Sequence, residues 1–361
     1  MSFDFTVPTY ISQDSVNGRS TLSDLTNVSS KGSDQSTKVK TSNHHAGTWG
    51  ASLPSSIFSD PSIIDSTAYN GHGVLSERKR HRDWVDVDAM NHDDPQACSH
   101  YAQDIMMHLR EAETRRRPNP VYLTEFQPEV NCKMRSILVD WLVEVGEEYR
   151  LCADTLYLTV NYIDRFLSLH KVARAQLQLV GVTCMWIAAK YEEIYPPNVA
   201  DFSYITDNTY QKEQMVEMEE LVLKTLQYEL TVPTAKAFLR RLLQVCSPDE
   251  QLHFLSNYLA ELTLLDHTMM AHLPSKVAAA SVFLAQLLLN REPWDGTLQH
   301  YSTYCPLDFE ECTQALTLLH SGMENNSNLG ALKEKYGGPR FLCVSRLPAI
   351  GTGVLPSGCF V

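Results

Sequence analysis

The residues able to do chemistry are scattered through this sequence, and they do not converge on a reaction. Thirteen histidines and nine cysteines are present, yet no two cysteines stand at CxxC spacing, so a zinc ribbon has no support. There is no phosphate-cradling glycine loop, no HExxH and no GxSxG. Asn43-His44-His45 reads as a solvated polar tract, and Cys184 and Cys312, set in apolar helical runs, read as small core residues. The expectation is a chain that is not an enzyme and carries neither metal nor cofactor. One residue is out of place. In "MRSILVDWLVEVGEEY", Met134 to Tyr149, glycine and proline are absent until Gly146, so the stretch reads as a helix. At 100° per residue, Met134, Ile137, Leu138, Trp141 and Val145 form one apolar stripe. Val139, Leu142, Gly146 and Tyr149 form a second stripe about a quarter-turn away. Arg135 sits inside the second. A surface helix needs one apolar stripe, and this one carries two, with a charge inside one of them.

The elements that must position this helix follow from composition. Residues 1 to about 96 are rich in Ser, Thr, Asn, Asp and Gly, as in "SKGSDQSTKVKTSNHHAG". Such a segment cannot bury enough apolar surface to offset ordering entropy, so it is expected to be a disordered tail. Beyond it, helical periodicity predicts elements at about 97–113, 133–150, 154–169, 174–190, 198–204 and 211–227. After a break at Thr231-Val232-Pro233-Thr234, it predicts more at about 234–245, 249–267, 272–290 and 306–321. Strand-like alternation is nearly absent, so the class is all-α. From about 341 to 361, glycine and proline recur too often for a regular element, and a loose tail is expected.

The second helical set is a faded copy of the first, displaced by 96 residues. Asn161-Tyr162-Ile163 falls on Asn257-Tyr258-Leu259, and Leu177 falls on Leu273. "LQLVGVTCMWIAAKY" falls on "LPSKVAAASVFLAQL". Both are apolar around most of their circumference and carry small residues, the pattern of a helix at the centre of a bundle. Two tandem helical bundles with a join near Val232 follow. A formal net charge of −13 argues against broad binding to nucleic acid or to an acidic membrane. No secretory signal and no run long enough to cross a bilayer are found, which suits an intracellular protein with reduced thiols.

"MRSILVDWLVEV", "TLYLTVNYIDRFL", "LQLVGVTCMWIAAKYEEIYPP" and "YITDNTY", in that order, resemble the cyclin box. "VGEEY" and "EEIYPP" are similar to A-type mitotic cyclins, while "KYEE", "YITDN" and "FLRR" also occur in B-type relatives. The resemblance implies two tandem cyclin-box bundles, over about 97–231 and 232–340. The function it implies is that of a regulatory subunit that binds and activates a cyclin-dependent kinase in cell-cycle progression. It implies several sets of residues. Arg135 would pair with Asp164 as scaffold. Ile105, Lys190, Glu219, Leu223, Tyr228 and Leu230 would face the kinase. Met134, Ile137, Leu138, Trp141, Leu177 and Gln178 would form an apolar docking patch for Arg-x-Leu substrates and inhibitors, with Glu144 meeting the ligand's arginine. In the tail, Arg19, Leu22 and Asn27 stand at destruction-box spacing, similar to the degron read by the anaphase-promoting ubiquitin ligase. Lys31, Lys38 and Lys40 lie downstream. The basic run Arg78 to Arg82 reads as a nuclear-import patch, giving an expected distribution over nucleus and cytoplasm. A rival reading of another class is a kinase-independent adaptor, since tandem bundles of this kind also occur in transcription-associated proteins.

Overall fold

The computed structural model describes residues 84–323, 329–350, 355 and 357–360. Arg19, Leu22, Asn27 and the basic run Arg78 to Arg82 lie outside the described residues. Those that are described form helices and short 3-10 turns, with no strand among them.

The first bundle is built from helices between residues 102 and 225. Its principal members are α2 (Ala102–Ala112), α3 (Tyr122–Glu125), α4 (Cys132–Glu148), α5 (Ala153–Leu169), α6 (Leu177–Glu192), α7 (Val199–Ile205) and α8 (Lys212–Thr225). A short α1 (Val87–Met90) precedes them. The second bundle holds α9 (Ala235–Cys246), α10 (Glu250–Leu262), α11 (Pro274–Leu288), α12 (Gly296–Ser302) and α13 (Glu310–Met323), and α14 (Ala331–Gly337) follows. Asn131 opens α4 by accepting from the Met134 N–H at 3.0 Å, and a reciprocal capping box at Asn198 and Asp201 opens α7. The 96-residue displacement carries α6 onto α11 and, within about one residue, α7 onto α12.

Each bundle is organised around a helix buried on nearly all sides, α6 in the first and α11 in the second. Every residue of α6 from Leu177 to Ala189 is buried. Its Gly181 lets α4 approach closely, because a methyl group there would lie 2.7 Å from Leu138 Cδ1. In α11 the run Ala278-Ala279-Ala280 plays the corresponding part, each residue fully buried. Cys184 and Cys312 are core residues, and burial pushes the Cys312 thiol up to about 12.

Two segments differ from their predicted disorder. Residues 84–90 are docked on the second bundle: Val87 is buried, and the Val87 N–H donates to the Tyr301 hydroxyl at 3.0 Å. The segment had too few apolar residues for any periodic signal, and its anchoring is by one ring and one ion pair instead. At the other end, the stretch after Gly338 forms 3-10 turns, and Val344, Leu355 and Phe360 are buried. Phe360 stacks on Phe283 of α11 with centroids 5.3 Å apart. Glycine and proline ruled out a helix there but not burial of single side chains.

The bundles are joined by polar contacts at buried positions. Arg135 donates Nε to Asp164 Oδ1 and Nη2 to Asp164 Oδ2, both at 2.7 Å, and Nη1 to the Leu264 carbonyl at 2.9 Å. The Tyr122 hydroxyl donates to Asp164 Oδ1 at 2.9 Å. Burial works against the guanidinium charge, but the Asp164 carboxylate outweighs it and holds the group above its ordinary value. A second link is Asp140 on α4, which accepts from the Gly330 and Ala331 N–H groups at 3.2 Å. Burial pushes its carboxyl up to about 6. Lys335 bridges Glu147 at 3.2 Å and Glu261 at 2.9 Å, so α14 is held to both bundles at once.

Arg135→Met leaves the Asp164 carboxylate buried without its cation. A loss of about 3–5 kcal/mol is expected, read as a fall of about 10 °C in melting temperature. A loss below about 1 kcal/mol would show that the pair contributes no net stability.

Candidate functional site

Lys190 lies in the last turn of α6, where the helix surfaces, and Glu219 lies on α8. The two form a direct ion pair, with side-chain exposures of 38% and 17%. Lys190 Nζ also lies 3.6 Å from the Trp186 ring centroid. One residue on, the Tyr191 hydroxyl meets Thr231 Oγ1 at 2.7 Å, which ties the end of α6 to the strand of chain leaving α8.

That departing chain is a built feature. Gln227 and Tyr228 both adopt left-handed backbone, with φ of 56° and 60°. For bulky residues this conformation costs free energy and persists only when surroundings enforce it. The enforcement is visible. Tyr162 donates its hydroxyl to the Leu230 carbonyl at 3.0 Å, and Arg165 donates Nη1 to the Glu229 carbonyl at 2.9 Å. Arg116, just past α2, pairs with the Glu229 carboxylate. The consequence is that the Tyr228 ring points outward and is 65% exposed, while Leu223 and Leu230 are half-buried beside it. Ile105, on α2 above Arg116, is also exposed. The structure thus brings Lys190, Glu219, Leu223, Tyr228 and Leu230 together on one face, and ties the helix that carries Ile105 to the same turn.

Ile194 and Tyr195 were not singled out from the sequence. They follow α6 directly and are 87% and 91% exposed, more than any other large apolar residue among those described. The signal was available: Pro196-Pro197 forbids the helix from continuing, so the apolar residues before it are pushed into the open. Tyr191, between Lys190 and this pair, is exposed as well.

The α4 patch divides differently. Trp141 and Glu144 are partly exposed. Met134, Ile137, Leu177 and Gln178 are buried and keep under a tenth of their surface open. Leu138 is fully buried against Gly181, so it makes no surface for a ligand and does not belong to the patch. On the helical wheel it lies on the edge of its stripe nearest α6, and close packing there takes it inside. Arg135 and Asp164 are brought together as expected.

Family models match the cyclin N-terminal domain over residues 104–231 and the cyclin C-terminal domain over residues 233–350. The chain belongs to the cyclin family. It is 52% identical over 270 residues to Cyclin-A1-1 of Oryza sativa subsp. japonica, covering 73% of this chain and 53% of the relative. It is 46% identical over 301 residues to Cyclin-A1-1 of Arabidopsis thaliana, covering 81% and 65%. This cyclin therefore spans about half the length of the first of these relatives. The X-ray structure of a viral cyclin from herpesvirus saimiri matches with a TM-score of 0.51 at 23% identity, over 58% of this chain and 93% of the viral one. That likeness concerns the fold.

Proposed function

We propose that this cyclin is the activating subunit of a cyclin-dependent kinase and that the kinase binds the face carrying Lys190, Glu219, Leu223, Tyr228 and Leu230, with Ile105, Ile194 and Tyr195 extending it. The observation that carries this reading is the exposed Tyr228, with Leu223 and Leu230 beside it, held in place by an enforced left-handed turn. Free energy is stored in presenting Tyr228 to solvent, and covering it with a partner recovers apolar burial.

The chain's part in catalysis is to shift a population. Phosphoryl transfer needs the kinase's Lys–Glu pair and metal-binding aspartate aligned. Moving that equilibrium from 1:99 to 99:1 takes about 5.5 kcal/mol of differential affinity. An interface of roughly 2,000 Å² can supply it, whereas one exposed ion pair contributes about 0–1 kcal/mol. Apolar contacts therefore dominate. Lys190 and Glu219 are already paired with each other in the free chain, so exchanging that pair for contacts to the kinase costs little and fixes register. In a mixture of purified chain and a monomeric cyclin-dependent kinase, Lys190→Ala with Glu219→Ala is expected to lower histone phosphorylation at least tenfold with circular dichroism unchanged. Undiminished phosphorylation would remove the assignment.

The half-buried Trp141 is the apolar surface offered to an Arg-x-Leu segment, with the small open parts of Met134, Ile137, Leu177 and Gln178 beside it in this reading and the partly exposed Glu144 as the carboxylate for the arginine. Met134→Ala with Trp141→Ala is expected to weaken phosphorylation of Arg-x-Leu substrates while sparing a short peptide without that segment. Equal loss on both would assign these residues to packing.

Degradation through Arg19, Leu22 and Asn27, by the anaphase-promoting ubiquitin ligase, completes the reading. Arg19→Ala with Leu22→Ala is expected to lengthen the protein's half-life after mitosis, measured in a synchronised culture; unchanged decay would reject the degron.

A further inference from the structure

The segment just ahead of α2 is held on the second bundle as a peptide is held in a groove. Trp84 stacks on His300 of α12, with centroids 3.6 Å apart and planes 7° from parallel, and meets Tyr301 edge-on at 6.0 Å. The Val85 N–H donates to Thr297 Oγ1 at 3.1 Å, and the Tyr301 hydroxyl accepts from the N–H groups of Val87 and Asp88 at 3.0 and 3.3 Å. Asp88 then reaches Arg241 of α9, a guanidinium that is 8% exposed and lies 4.8 Å from the Tyr301 ring. A ring slot, two hydroxyl acceptors for the backbone that leads into a helical turn and for that turn's first N–H groups, and a buried cation follow one another, spaced for an aromatic residue four positions ahead of a carboxylate.

The resident segment fills this groove imperfectly. Both Asp88 oxygens take their hydrogen bonds from a single nitrogen, Nη2, at 2.8 and 2.7 Å. Arg241 Nη1 donates to Gln244 Oε1 at 3.1 Å. Arg241 Nε is buried and has no hydrogen-bond partner among the described residues. A buried donor left unpaired carries its full desolvation cost, and a carboxylate one methylene longer reaches toward Nε while keeping Nη2, the two-nitrogen geometry a guanidinium favours. The flanks of the segment are also poorly buried: Val85 is 55% and Met90 75% exposed.

We propose that the face formed by α9 and α12 is a docking groove for linear segments of partner proteins that carry an aromatic ring four residues ahead of a carboxylate, with glutamate preferred, and that residues 84–91 are its resident, displaceable occupant. Tethering explains why a suboptimal segment remains in place: a short connection to α2 gives it an effective concentration of about a millimolar. A partner must either bind more tightly or engage the cyclin elsewhere as well. This reading is independent of the kinase assignment, since it uses neither α6 nor α8.

The test uses the full chain with Trp84→Ala and Asp88→Ala, which removes the segment's ring and carboxylate and so weakens its hold without touching the groove's walls, and a fluorescent peptide of residues 83–92 added in trans. Saturable micromolar binding to the variant is expected, at least tenfold weaker binding to the unaltered chain, and a further gain of at least threefold for the peptide with Asp88→Glu. The peptide with Asp88→Asn, and the variant with His300→Ala added, should each lose at least tenfold. No saturable binding to a variant with unaltered circular dichroism, or equal binding to both chains, overturns the groove. No gain from the glutamate peptide overturns the stated ligand preference. A concentration-dependent dimer of the unaltered chain in sedimentation would assign the groove to exchange of residues 84–91 between copies and overturn the partner reading.

Discussion

The Arg135 guanidinium is buried where two bundles meet, and its hydrogen bonds reach into both. Within the first bundle it closes on Asp164, which Tyr122 also contacts, so α3, α4 and α5 share one charged centre. Across the join it caps the carbonyl end of α10 through Leu264, where unsatisfied carbonyls and the helix dipole favour a cation. A charge placed there is costly unless every partner is present. That condition couples the folding of one bundle to the presence of the other. The Glu147–Lys335–Glu261 bridge and the Asp140 cap on α14 repeat the device at a second point.

A rigid frame is what an activator of the proposed kind requires. Binding energy spent on ordering the cyclin is not available to reorder a kinase. Here the ordering is complete before any partner arrives. The 227–230 turn is fixed by Tyr162 and Arg165 from α5 and by Arg116 from the chain after α2, and α6, which delivers Lys190 and then Ile194, is buried along most of its length. The strained Tyr228 backbone is tolerable because the frame around it is not. The same argument separates the two faces of α4. Its inner side is consumed by Gly181 and the core, and only the strip around Trp141 remains for a ligand.

The helices were legible because their burial is periodic. α4, α5, α6 and α11 announce themselves by stripes or by continuous apolarity, and the tandem arrangement by the match of Asn161-Tyr162-Ile163 with Asn257-Tyr258-Leu259. The resemblance to the cyclin box supplied the pairing of Arg135 with Asp164, which no periodicity contains. What escaped was single-residue anchoring. Trp84 and Phe360 each dock alone in polar or glycine-rich chain, and one aromatic residue has no period. α12 was missed for a different reason: "DGTLQHYS" is polar, but its repeat partner α7 was predicted, and applying the 96-residue displacement to α7 would have found it. Leu138 was placed in the docking patch by the resemblance, and a wheel of 100° steps could not correct it, since a wheel shows which side a residue is on and not how near the neighbouring helix comes. A glycine opposite, at Gly181, was the clue that the approach there is close.

The central claim is that one prebuilt face of the first bundle receives a kinase. Amide hydrogen exchange of the full chain, with and without a monomeric cyclin-dependent kinase, tests it most directly. The account expects added protection at residues 186–195, 216–231 and 101–109, with α10 and α11 unchanged because they lie outside the proposed face. No added protection at saturating micromolar kinase, or protection confined to the second bundle, would contradict it.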